Sequence, residues 1–139
     1  MAAHLFAAID VGSFELEMGI YETTSRNGLR EIDHLRHVIS LGRDTYHTGK
    51  ISYHLVDEMC QVLEEFAQVM KSYQVEDYRA YATSAMREAK NSQIILEQIR
   101  VRTGIQVQVI SNSEQRFLGY KAIAMKEAEF QKIIQKGTA

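Results

Sequence analysis

Hydrophobic and polar positions change rhythm several times along the 139-residue chain, and each change marks an element. HLFAAID, residues 4 to 10, is a short and mostly apolar run; FELEMGIY, 14 to 21, alternates and sets Phe14, Leu16, Met18 and Ile20 on one face. These segments predict two antiparallel strands joined at Gly12-Ser13. A turn at Ser25 to Gly28 leads into a third strand within LREIDHLRHVISLG, whose mixed pattern leaves its ends open. Leu55, Met59, Val62, Leu63, Phe66, Val69, Met70 and Tyr73 then recur at helical spacing, which predicts an amphipathic helix over 53 to 73 with Ser52 as its cap. Further on, YRAYATS (78 to 84) reads as a buried strand, SQIILEQIRVRTG (92 to 104) as a helix closed by Gly104, and IQVQVIS (105 to 111) as a strand of period two. A last helix starts at Ser111, with Phe117, Tyr120, Ile123 and Ala124 on one face. The order predicts an α/β fold with a five-stranded mixed sheet and about three helices, antiparallel at one edge and parallel where helices intervene.

The length suits one domain that buries a continuous core without disulfides or a structural metal. With 16 basic and 18 acidic side chains interspersed, for a formal net charge of −2, the chain lacks the basic face of a DNA binder, so any anion site must be local. Its one cysteine, Cys60, excludes a disulfide framework and a cysteine zinc site; lying in the helical pattern, it reads as a small buried hydrophobe. The start carries no secretory leader, and no stretch approaches the ~18 apolar residues of a membrane span, so the sequence reads as a soluble, cytoplasmic protein without a membrane partner. It contains no proline, repeat or linker.

Three stretches carry candidate chemistry. In IDVGS (9 to 13), an acid before Gly-Ser at a strand end suits either a hairpin turn or a phosphate loop, because Gly12 can take positive φ and lets an anion approach the backbone. In ATSAMREAKN (82 to 91), Thr83, Ser84 and Arg87 follow a strand, where ligands of open α/β sheets bind; Arg87 suits phosphate oxygens, or else pairs with a surface acid. In VISNSEQRF, Ser111 and Glu114 have the spacing of a capping box, while the free amides of a helix start also favour an anion.

Taken together, IDVGSFELEMGIYE, SLGRDTYHTGKIS, YATSAMREAKN and TGIQVQVISNSEQRFLGYKAI resemble, in order and spacing, the N-terminal domain of the exopolyphosphatase/guanosine pentaphosphate phosphohydrolase family. The resemblance covers nearly the whole chain and implies the ribonuclease-H-like domain of the actin/hsp70/sugar-kinase superfamily. By that resemblance Asp10 lies near Mg²⁺ or another divalent cation, Gly12 and Ser13 form the first phosphate loop, and Arg87 with Thr83 and Ser84 grips phosphate from the opposite wall. No organic cofactor is implied. The family reaction is hydrolysis of a terminal phosphoanhydride in polyphosphate or guanosine pentaphosphate, which needs charge neutralisation and a carboxylate that orients or deprotonates water.

The chain departs from the family at this site. The family's loop continues Gly-Ser-Asn-Ser, whereas Phe14 and Glu15 stand here. The family's paired glutamates at the helix start become Glu114 and Gln115, with Gln115 in the position of the catalytic base. An amide cannot take the proton, and Glu114 points about 100° away on a helix. Glu15 either supplies the missing carboxylate or repels the substrate. The sequence also ends where a second domain with another glycine-rich loop follows in the family, so it reads as an isolated first domain that is inactive by itself. The leading expectation is therefore a phosphohydrolase domain with compromised catalysis; its alternative is a non-catalytic module that binds phosphate or nucleotide, and a sugar-kinase-like transferase ranks third. Expected partners are a polyphosphate or guanosine phosphate ligand and the second domain, with a homodimer left open.

Overall fold

The computed structural model describes residues 4 to 24, 28 to 82 and 84 to 110. Strands β1 (His4–Val11) and β2 (Glu15–Thr24) form the expected hairpin, and β3 (Gly28–Val38) adds to its outer edge. The predicted amphipathic helix spans Tyr53–Tyr73 and is preceded by a shorter one that the sequence did not announce; these are α2 and α1 (Leu41–Thr48). Next come β4 (Asp77–Ala82), the short α3 (Ser84–Glu88), α4 (Ser92–Thr103) and β5 (Gln108–Val109). The sheet order is β3-β2-β1-β4-β5, antiparallel from β3 to β1 and parallel from β1 to β5. Among the described residues of IQVQVIS, two pair as strand. The predicted last helix lies outside the described residues, as do Thr83, Ser111, Glu114, Gln115 and the Ser84 side chain.

One apolar cluster explains the arrangement. Ile9 and Val11 on β1 and Leu16, Met18 and Ile20 on β2 meet Met59, Cys60, Leu63 and Phe66 of α2 and Ile95 and Ile99 of α4, all buried. Period two on the strands and period 3.6 on the helix thus point at the same interior. Cys60 is fully buried, as read, and burial pushes its thiol pKa up. Phe14 departs from the expected apolar face: β2 starts one residue later, and the ring is 60 % exposed in the turn. Ser52 occupies the N-cap of α2, but its hydroxyl makes no capping bond and lies 3.3 Å from His54 Nδ1; its carbonyl instead accepts from the Leu55 and Val56 amides. Gly104, at φ 79°, closes α4 as the sequence indicated.

Two polar contacts fasten β3 to α2: Tyr73 Oη donates to Asp33 Oδ2 at 2.7 Å, and His37 Nε2 lies 2.9 Å from Glu58 Oε2. A third device joins α1 to α4. The Asn91 side chain accepts from the Ile51 amide at 3.2 Å and donates to the Ile51 carbonyl at 3.0 Å, beside a Lys90 amide bond to the Gly49 carbonyl at 2.7 Å.

Candidate functional site

The parallel part of the sheet fixes where the candidate loops emerge. Val11 pairs with Ala82, and Ala82 with Val109, so one row runs across the carboxyl ends of β1, β4 and β5. The Gly12-Ser13 turn leaves the sheet at one place in that row, and the ATSAMREA stretch beside it. Ile110 adds a bond just past the row, its amide donating to the Ala82 carbonyl at 2.8 Å.

The turn is closed from within. The Gly12 amide donates to the Glu15 carbonyl at 2.9 Å, and a Cβ on Gly12 would stand 3.0 Å from that oxygen. Gly12 is not among the glycines with positive φ, so the expected reason for a glycine gives way to another: close approach of backbone to backbone. Its amide is engaged in the hairpin. The Ser13 and Phe14 carbonyls accept from the Gly42 and Ile39 amides, each at 2.9 Å, which seats the first turn of α1 against the loop. Gly42 permits this contact, because a Cβ there would lie 3.0 Å from the Tyr46 ring and 3.1 Å from Ser13 Cβ. Of the two readings of IDVGS, these bonds show the hairpin turn, with the Gly12 amide directed inward. It is a tight turn at the carboxyl edge of the sheet.

Acidic and basic groups line the face beside the turn. Asp10 stands opposite Glu17, and Glu17 opposite Arg36, which puts all three on one side of the sheet. Burial, then the negative charge of Glu15, raises the Asp10 pKa from 3.8 to about 6. Glu15 is shifted the other way, by a hydrogen bond with Glu17 and by Arg36, whose Nε donates to its Oε2 at 2.5 Å. Burial and the bond to Glu15 raise Glu17.

Asp10 makes stability pH-dependent. Because its carboxyl binds a proton more tightly folded than unfolded, its contribution is fully present below about pH 4 and is lost as pH rises through about 6. Asp10→Asn should therefore raise the urea midpoint at pH 7, by about 1 to 2 kcal/mol after discounting for partial exposure, with the gain fading towards pH 4. Equal gains at both pH values would contradict this origin.

Arg87 stands on α3, exposed, with Nη1 donating to the Ile110 carbonyl at 3.1 Å and Nε 3.7 Å from Glu88 Oε1. It thus spans from the end of β4 to the end of β5. The structure brings Asp10, Gly12, Ser13, Glu15 and Arg87 to one edge of the sheet. Sequence reasoning passed over Arg36, Gly42 and Asn91. A glycine in the first turn of a helix was a usable signal for Gly42, whereas Arg36 and Asn91 act through strand pairing and side-chain reach that spacing does not encode. Among the described residues, no group of three or more His, Cys, Asp or Glu side chains could hold a metal ion, and no helix is long and apolar enough to cross a membrane.

Comparison with known proteins agrees with the fold. The model of the Ppx/GppA phosphatase family matches residues 20–134. Exopolyphosphatase 1 of Mycobacterium tuberculosis is 26% identical over 115 residues, covering 83% of this chain and 33% of that protein. The Ppx/GppA family member of Aquifex aeolicus superposes with a TM-score of 0.81 at 30% identity, over 88% of this chain and 40% of its own. An exopolyphosphatase from Cytophaga hutchinsonii, at 22% identity and a TM-score of 0.77 over 83% of this chain and 36% of its own, shares the fold. The chain spans about a third of the length of the curated relatives it matches. With the family model covering most of its residues and a ribonuclease-H-like sheet in the expected order, the chain belongs to the Ppx/GppA phosphatase family.

Proposed function

We propose that this chain is the N-terminal domain of an exopolyphosphatase-like phosphohydrolase, which binds a phosphoanhydride chain at the carboxyl edge of its sheet and hydrolyses the terminal phosphate slowly. The substrate class is polyphosphate or guanosine pentaphosphate, and a second domain supplies the opposite wall. The observation that carries this reading is the Val11, Ala82, Val109 row, which sets the Asp10-to-Ser13 turn beside the segment holding Arg87. The exopolyphosphatase relatives support the substrate class.

The residues divide the work by their chemistry. Arg87 offers phosphate oxygens a planar, permanently charged fork, with its Nη1 already anchored on the Ile110 carbonyl. Asp10 fits the role of cation ligand: a half-buried carboxyl raised by burial and a negative neighbour gains from a positive partner. A single carboxylate suffices for Mg²⁺, which is commonly held by one or two carboxylates together with substrate phosphates and water. When bound, such a cation supplies charge neutralisation on the transferred phosphoryl group. Glu15 is a poor general base, because Glu17 and Arg36 lower its pKa and an ion-paired carboxylate takes up a proton reluctantly. With Gln115 at the family's base position, the attacking water has no proton acceptor of the usual kind, which typically costs about 10² to 10⁴ in rate.

A second reading, a module that binds phosphate or nucleotide without hydrolysing it, draws on this pairing of Glu15 with Arg36. The two readings share the anion site and part on turnover. Their common ground is tested at Arg87: Arg87→Ala should weaken polyphosphate binding in calorimetry by about 1 to 3 kcal/mol, the loss of a charge-assisted contact. Unchanged affinity removes Arg87 from the site.

A further inference from the structure

We infer that Arg36 is a second anion-binding residue of this site and that Glu15 holds it in reserve, so that a phosphate chain reaches Arg36 by displacing a carboxylate. The inference rests on the phosphohydrolase reading above and concerns the stretch where this chain departs from the family's Gly-Ser-Asn-Ser loop.

Glu15 is the first residue of β2 after the turn and pairs with Val38; Arg36 lies two residues earlier on β3, on the same face of the sheet. Its Nε donates to Glu15 Oε2 at 2.5 Å, and Glu15 follows the Gly12-Ser13 turn by two residues. The cross-strand order Asp10, Glu17, Arg36 places it on the face that carries the candidate cation ligand. Its side chain is 60 % exposed, and among the described residues neither terminal nitrogen makes a hydrogen bond. One edge of the fork is thus taken by a carboxylate, and most of the side chain is exposed.

This pairing resolves the apparent conflict of a glutamate beside an anion cradle. Neutralised by Arg36, Glu15 does not present a bare charge to the substrate. A phosphate chain carries more negative charge than one carboxylate and offers paired oxygens that match the planar fork, so it competes well for the same guanidinium. Exposed ion pairs are weak, which keeps the exchange reversible. Glu15 then sets the affinity threshold: short or singly charged anions leave the pair closed, and polyanions open it.

Titration of linear polyphosphate into the chain and its variants at fixed ionic strength tests this. Glu15→Ser should free Arg36 and tighten binding by about two- to fivefold, the size of an exposed charge pair. Arg36→Ala should weaken binding, and adding it to Glu15→Ser should cancel the gain. Arg36 is exposed and Glu15 half-buried, and unchanged thermal midpoints would show that the variants fold. Unaltered or weaker binding by Glu15→Ser overturns the inference. A gain that persists without Arg36 also overturns it, since Glu15 would then simply repel the substrate. If Arg87→Ala abolishes binding while the Arg36 variants behave as the parent chain, Arg36 has no such role and the phosphohydrolase reading stands. Binding by none of the proteins removes both.

Discussion

Gln115→Glu, made in the intact protein, is expected to raise orthophosphate release from polyphosphate by about 10² or more. Under the proposed function, the change supplies a carboxylate at the family's base position, a role that Glu15, with its pKa lowered by Glu17 and Arg36, fills poorly. Phe14 bears on the outcome because its ring stands exposed at the turn instead of buried in the core. If the single change does nothing but activity appears when Phe14→Asn and Glu15→Ser are added, the ring and the Glu15 charge block the cradle. If activity is absent from the triple variant as well, Gln115 is not the missing base. Phosphate release under single-turnover conditions separates these cases from slow product release.

Asn91→Ala should lower stability by about 2 to 4 kcal/mol, read from the urea midpoint, because it strands an amide and a carbonyl of buried Ile51. The loss reaches the site. The Asn91 clamp and the Lys90 amide bond fix the end of α3 against the segment after α1, so Arg87 and the turn lean on the same support. Asn91→Asp keeps the acceptor and removes the donor, and should fall between the two proteins. A midpoint for Asn91→Ala within about 0.5 kcal/mol of the parent would show that water replaces the clamp.

Much of this fold is written in local pattern. Alternation at Leu16, Met18 and Ile20 and helical spacing from Leu55 to Met70 each point at one interior, and the structure buries those residues together. Phe14 fell on the wrong side because alternation does not mark where a turn ends and a strand begins. α1 escaped notice since LGRDTYHT has no continuous apolar stripe; Leu41 and Thr45 are buried one turn apart. As candidate residues at strand ends, Asp10 and Arg87 were legible from their residue types. Arg36 was not. Its partner is 21 positions away, and only the register of β2 on β3 brings the two together. Asn91 was not either: it occupies the N-cap of α4, yet its side chain makes no capping bond and crosses 40 positions to Ile51.

Orthophosphate release by the unaltered intact protein, measured beside the binding of the same defined-length polyphosphate, bears most directly on the proposed function. The expected result is saturable binding that Arg87→Ala weakens, together with turnover about 10² or more below that of the Gln115→Glu variant. Rapid turnover by the unaltered protein that Glu15→Ser abolishes would contradict it, and would place the catalytic base at Glu15.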